Sequence, residues 1–345
     1  MIRKYALACF LAVLGFLLAS PLSHTQEQNK PMVFEGTVGG WRIIEEGQPP
    51  VMIHATVEDM TRFREANPHA RPGQVQAAST ANDLSYHGGI GGIGVETHPK
   101  IYLVLWGSQW TNNDPSGESA ILQSFYSGVG GSSWANSVTQ YCQGVPSGTV
   151  ICNGAGTPAG NPTGILAGVF ADNASLAPSH PRQSQLAAEA VRAAQQFNNT
   201  TSPSNASVQY VIATATGHSS RGFGTQYCAY HSATSSMVGN VAYTNLPYIT
   251  DAGASCGANF NGLGPHAGIT IVGGHEMAET MTDQFPNGGW LDSSGAENGD
   301  KCAWISSGQG AAADVTLTNG ARVPVQSLWS NAFNSGSGGC VLSYP

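Results

Sequence analysis

Two uninterrupted apolar runs constrain this 345-residue chain more than any other feature. Residues 100–107 (KIYLVLWG) and 208–214 (VQYVIAT) are rich in β-branched and aromatic side chains, the pattern of buried strands. Pro99 and Gly107 bound the first run. Helical spacing appears between them. Ser116 can cap a helix carrying Ile121, Leu122 and Phe125 on one face, and Ser184–Phe197 spaces Leu186, Ala190, Ala193 and Phe197 as a second helix would. Strands alternating with helices predict an α/β (or α+β) domain, a mixed sheet with flanking helices. Residues 217–265, rich in Gly, Ser and Cys, read as loops and short strands. Asn319-Gly320 predicts a tight hairpin turn.

The N-terminus carries the pattern of a secretory signal. Arg3 and Lys4 precede an apolar stretch from Tyr5 to Ala19 that ends in small residues. Beyond it remain Cys142, Cys152, Cys228, Cys256, Cys302 and Cys340, an even number that in an exported chain suggests disulfides. Sequential pairing is expected, Cys142–Cys152, Cys228–Cys256 and Cys302–Cys340, because the first pair closes a short Gly/Pro loop. The divisions expected are a signal peptide over 1–24, a prosegment or N-terminal extension over 25–80 with a polar linker at 66–83, and a catalytic domain over 81–345. The product would be secreted, free of the membrane once the signal is removed, and monomeric.

Charge is scarce and unevenly placed. Only 10% of residues are charged, with Lys+Arg 13 against Asp+Glu 21 and a net charge of -8, which argues against a nucleic-acid partner. The 41% of hydrophobic residues argues against disorder. Many of the charges lie before residue 75. Past that point carboxylates thin out, then gather again in one segment: Glu276, Glu279, Asp283, Asp292, Glu297 and Asp300.

That segment opens with GITIVGGHEMAETMTD at 268–283. On a helix, His275 and Glu279 lie four apart and project from one face, where an imidazole and a carboxylate can share a metal ion. Glu276 points about 100° away and stands beside the ion, the position of a general base for a metal-activated water. Gly273-Gly274 would let substrate or another strand approach the helix. Glu297, 18 positions after Glu279, is the preferred third ligand, with Asp300 or Asp283 as substitutes. Zinc is the expected metal. Calcium is the alternative, held structurally by Asp283, Asp292, Glu297 and Asp300. His218, His231 and His266 could line the site, but each reads more simply as a loop or core histidine.

The run VGGHEMAETMTD resembles the active-site helix of zincin metalloproteases, with Glu279 where the second histidine of His-Glu-x-x-His is expected. The resemblance implies a zincin-like active-site helix and a zinc endopeptidase, made as a zymogen, acting on polypeptides with Glu276 as general base. A looser likeness covers more of the chain. Tyr86-His87-Gly88-Gly89, IYLVLWG, GFGTQYCAYHS and the Thr282-Asp283 to Trp290 stretch are similar to the secreted EXORDIUM (phosphate-induced protein) family. Its plant members are cell-wall or apoplastic proteins associated with growth. That likeness implies the other reading, a non-catalytic secreted wall or binding protein with a structural calcium site.

Overall fold

The computed structural model describes residues 40–67, 83–174 and 176–344. The expected signal peptide and most of the expected linker lie outside these residues. Both apolar runs are strands at the heart of a seven-stranded mixed sheet. Its strands are β1 (Gly40–Arg42), β2 (Val51–His54), β3 (Lys100–Trp106), β4 (Leu166–Asp172), β5 (Val208–Thr214), β6 (Ala229–Ser236) and β7 (Gly239–Leu246), in spatial order β1-β2-β6-β7-β5-β3-β4. β3 runs parallel to both neighbours, with Trp106 opposite Thr214 on β5 and Asp172 on β4. β7 continues the parallel set beside β5, and β6, β2 and β1 follow in antiparallel pairs.

A strand inside a sheet covered on both faces buries alternate side chains in opposite directions, so it needs no polar face. Ile101, Leu103 and Leu105 of β3 enter one core, and Tyr102, Val104 and Trp106 enter another. α3 (Gln183–Gln196) fills the second core through Leu186, Ala190, Ala193 and Ala194. α2 (Glu118–Val129) and α4 (Ala267–Thr282) fill the first through Leu122, Phe125, Ile269, Val272 and Met281. Each of the leucine, isoleucine, valine, phenylalanine and methionine side chains contributes about 1.5–3 kcal/mol on burial.

All three disulfides pair sequentially, as the spacing suggested. Asn319-Gly320 lies in the connection of the hairpin Ala313–Thr316 to Arg322–Val325. Two local expectations differ. Ser116 is not the cap of α2. Gly117 stands there, and the Asp114 carboxylate accepts the N–H groups of Glu118 (2.8 Å) and Ser119 (3.2 Å). The stretch from 217 holds more than short strands, because β6 and β7 are eight residues each. Their small and hydroxylated residues (AYHSATSS, GNVAYTNL) hide the alternation that marks a strand.

Part of the charge-rich N-terminal region is also sheet. β1 and β2 extend the edge beyond β6, with Met52 opposite His231 and His54 opposite Ala229. α1 (Val57–Ala66) follows, its first turn capped by the Thr56 hydroxyl, which accepts the Asp59 N–H at 3.1 Å. Among the described residues no helix is long and apolar enough to cross a membrane.

Candidate metal centre

α4 is buried along its whole length, and this explains its sequence. A helix enclosed on every side has no solvent face, so its apolar residues need not form a stripe. Gly273 and Gly274 are where α2 and the following segment press on it. A methyl group on Gly274 would meet Phe125 Cζ and Trp134 Cη2, each at 3.1 Å. The glycine pair thus admits aromatic rings of the core. His275, Glu276 and Glu279 follow immediately, all with zero exposure.

The chain after α4 is bent back by two aspartates. The Asp283 carboxylate accepts backbone N–H groups from Asn287 (2.8 Å), Gly288 (2.9 Å) and Gly289 (2.5 Å). Asp292 accepts from Ser294 (2.8 Å) and Ala296 (3.0 Å), and its other oxygen takes the Lys301 ammonium at 2.7 Å. Both carboxylates are therefore occupied in shaping the loop. Asn298 docks the returning segment on α4 by donating to the Ala278 carbonyl (3.0 Å) and the Thr282 hydroxyl (2.6 Å). Glu297 and Asp300 are carried into the core beside His275 and Glu279, and the Cys302–Cys340 disulfide lies two residues beyond Asp300.

His275 Nε2 lies 3.0 Å from Glu279 Oε2 and 3.8 Å from Asp300 Oδ1. Of the sequence candidates, then, Asp300 joins the His275–Glu279 pair. Glu297 faces a different imidazole, its Oε2 3.6 Å from His231 Nε2. His231 Nδ1 lies 3.3 Å from Glu276 Oε2 and 3.8 Å from Glu279 Oε2. His275, Glu279 and Asp300 can converge on one ion; so can His231, Glu276 and Glu279, and so can His54, His275 and Glu276.

Gln326 holds the orientation of His275. Its Oε1 lies 3.2 Å from His275 Nδ1, while its Nε2 donates to the Gly299 carbonyl at 2.8 Å. An amide oxygen can only accept, so His275 carries its proton on Nδ1 and keeps the Nε2 lone pair toward Glu279 and Asp300. Glu279 is fixed in a similar way, its Oε1 accepting the Asp300 N–H at 2.9 Å.

Burial dominates the electrostatics. It pushes Glu276, Glu279, Glu297 and Asp300 well above the usual carboxylate range, and each is pushed further by neighbouring carboxylates. Burial also lowers His231 to about 3, with His275 adding repulsion, and lowers His275 to about 4 against the pull of Asp300. The imidazoles are thus neutral with lone pairs to offer. His275 Nε2, His231 Nε2, Glu276 Oε1, Glu279 Oε2, both Glu297 oxygens and Asp300 Oδ1 are buried without a hydrogen-bond partner. Such groups are costly unless something pairs them, and a metal cation does.

Two participants, Gln326 and His54, were not singled out from the sequence. His231 was weighed as a residue lining the site, with a loop or core histidine as the simpler reading; its place on β6 opposite α4 depends on the sheet order. Gln326 carries no local signal at all. His54 lay in the stretch read as a prosegment or extension, yet its ring stacks on His275 with centroids 3.7 Å apart and planes 4° from parallel. His266 caps α4 at its N-terminus, and His218 Nδ1 lies 3.2 Å from the Pro178 carbonyl, so neither belongs to the three convergent groups. No protein-family model, characterised protein or solved structure matches this chain.

Proposed function

We propose that the chain is a secreted, metal-dependent endopeptidase with zinc held by His275, Glu279 and Asp300. The observation that carries this reading is the convergence of unpartnered ligand atoms at fully buried positions of the fold. One imidazole and two carboxylates form a donor set that zinc accepts, with further coordination left for water or substrate. When bound, zinc supplies Lewis acidity, polarising the scissile carbonyl and making water a stronger acid.

The chain supplies the remaining parts. Gln326 keeps the His275 tautomer, and the Asp300 N–H occupies Oε1 of Glu279, leaving Oε2 without a donor. Glu276 is not in the ligand group of His275, Glu279 and Asp300, and its Oε1 has no donor. It accepts a proton from water and returns it to the leaving amine. Secretion is supported by the apolar N-terminal sequence and by three disulfides, which persist in oxidising compartments. The N-terminal region supports a zymogen: the His54 ring stacks on His275, and access for a polypeptide requires that ring to move.

Casein hydrolysis by the zinc-loaded, fully processed protein tests the reading. Glu276→Gln should lower turnover about 10²–10⁴-fold while the fold is retained. Equal turnover in the two proteins would remove Glu276 from the mechanism, and no turnover in the wild type would overturn the peptidase.

A further inference from the structure

We propose that the centre holds a second divalent cation, bound by His231, Glu276 and Glu279, with Glu279 shared between the two ions. The inference rests on the first ion lying at His275, Glu279 and Asp300, and it goes beyond that reading by giving the cluster a second locus.

Geometry separates the two positions. The convergent groups among the described residues number three, and none contains both His231 and His275. The two imidazoles come from different elements, β6 and α4, and approach Glu279 Oε2 separately. One nitrogen is 3.0 Å from that oxygen and the other 3.8 Å. A carboxylate oxygen reached by two imidazoles that share no convergent group is arranged to bridge. The second carboxylate of the new locus is Glu276, whose Oε2 lies 3.3 Å from His231 Nδ1. Its Oε1 still has no donor and remains turned to the proton transfer.

The unpartnered atoms point the same way. Glu276 Oε1, Glu279 Oε2, both Glu297 oxygens and Asp300 Oδ1 are buried without a hydrogen-bond partner, more than one ion at His275, Glu279 and Asp300 takes up. Glu297, 3.6 Å from His231 Nε2, is the carboxylate that orients the second imidazole from behind. Two ions bridged in this way lie about 3.5–4 Å apart.

Manganese alone is the probe, because Mn²⁺ accepts mixed imidazole and carboxylate ligands and reports its neighbour by electron paramagnetic resonance. The full chain is stripped with chelator and dialysed against Mn²⁺, and bound metal is counted per chain. The expected result is two ions with an exchange-coupled spectrum. His231→Ala and Asp300→Asn should each retain one ion with an uncoupled spectrum. His231→Gln, with a thermal melt matching the wild type, guards against loss of fold. Saturation at one ion, unchanged in the His231 variants, overturns the second locus and leaves the zinc centre standing. Two ions without coupling also overturn it, since Glu279 would not be shared. No bound ion would overturn the metallopeptidase together with this inference.

Discussion

A single methyl group measures how tightly the centre is built. Gly299 has φ -77°, a value any residue adopts, yet a Cβ there would stand 2.7 Å from His275 Nδ1 and 2.8 Å from Glu279 Oε1. Gly299→Ala should therefore act by displacing ligands, without straining the backbone. We expect at least about a tenfold loss of zinc affinity, comparable to losing a group that orients a ligand, measured by chelator competition. Unchanged affinity would show that the ligands have room to spare. A second residue tests burial outside the three convergent groups. Glu96 is enclosed beside Gln209, whose amide donates to it at 2.9 Å, and burial pushes its carboxyl up to about 8 from 4.5. Between those values the folded chain binds more protons than the unfolded chain, so this group's contribution to stability is lost as pH rises. Glu96→Gln should flatten the fall in melting temperature between about pH 5 and pH 8 in the metal-loaded protein. A wild-type slope retained by the variant would contradict this.

The legibility of the elements followed how their neighbours cover them. β3 and β5 were evident because strands covered on both faces are apolar throughout. β6 was hidden, since Ala233, Thr234 and Ser236 are only partly buried, Ser235 is exposed, and its buried half includes His231 and Ser232. The helix carrying the candidate ligands was evident from His275 and Glu279, whose four-residue spacing is a local property. The third candidate was not, because whether Glu297 or Asp300 reaches His275 depends on the Asp283 and Asp292 turns. The segment that follows those turns is anchored at Cys302, two residues beyond Asp300, by the Cys302–Cys340 disulfide, which closes a sequence separation of 38 residues. Replacing both cysteines with serine should cost about 4 kcal/mol in denaturant unfolding. It should also weaken zinc binding, because Asp300 loses its anchor. Loss of stability with full zinc affinity would make the disulfide a brace of the fold alone.

At the scale of the whole molecule, the centre draws on the full described length of the chain. His54 comes from β2, His231 from β6, His275 and Glu279 from α4, Asp300 from the returning loop and Gln326 from the segment after the last hairpin. No local window of sequence holds more than a fraction of this set, so only the 276–300 cluster stood out against a chain with so few charges. The N-terminal strands matter for the same reason. Arg64 donates to the carbonyls of Ala303 and Trp304, and the Trp304 indole donates to the Ala55 carbonyl at 2.8 Å, so β2 and α1 are tied to the loop that carries Asp300. The central claim, a zinc ion at His275, Glu279 and Asp300, is tested most directly by anomalous diffraction at the zinc edge from crystals of the zinc-loaded chain. The expected result is a peak about 2.0–2.2 Å from His275 Nε2, Glu279 Oε2 and Asp300 Oδ1. A map from fully loaded crystals with no peak among these three atoms would contradict the claim.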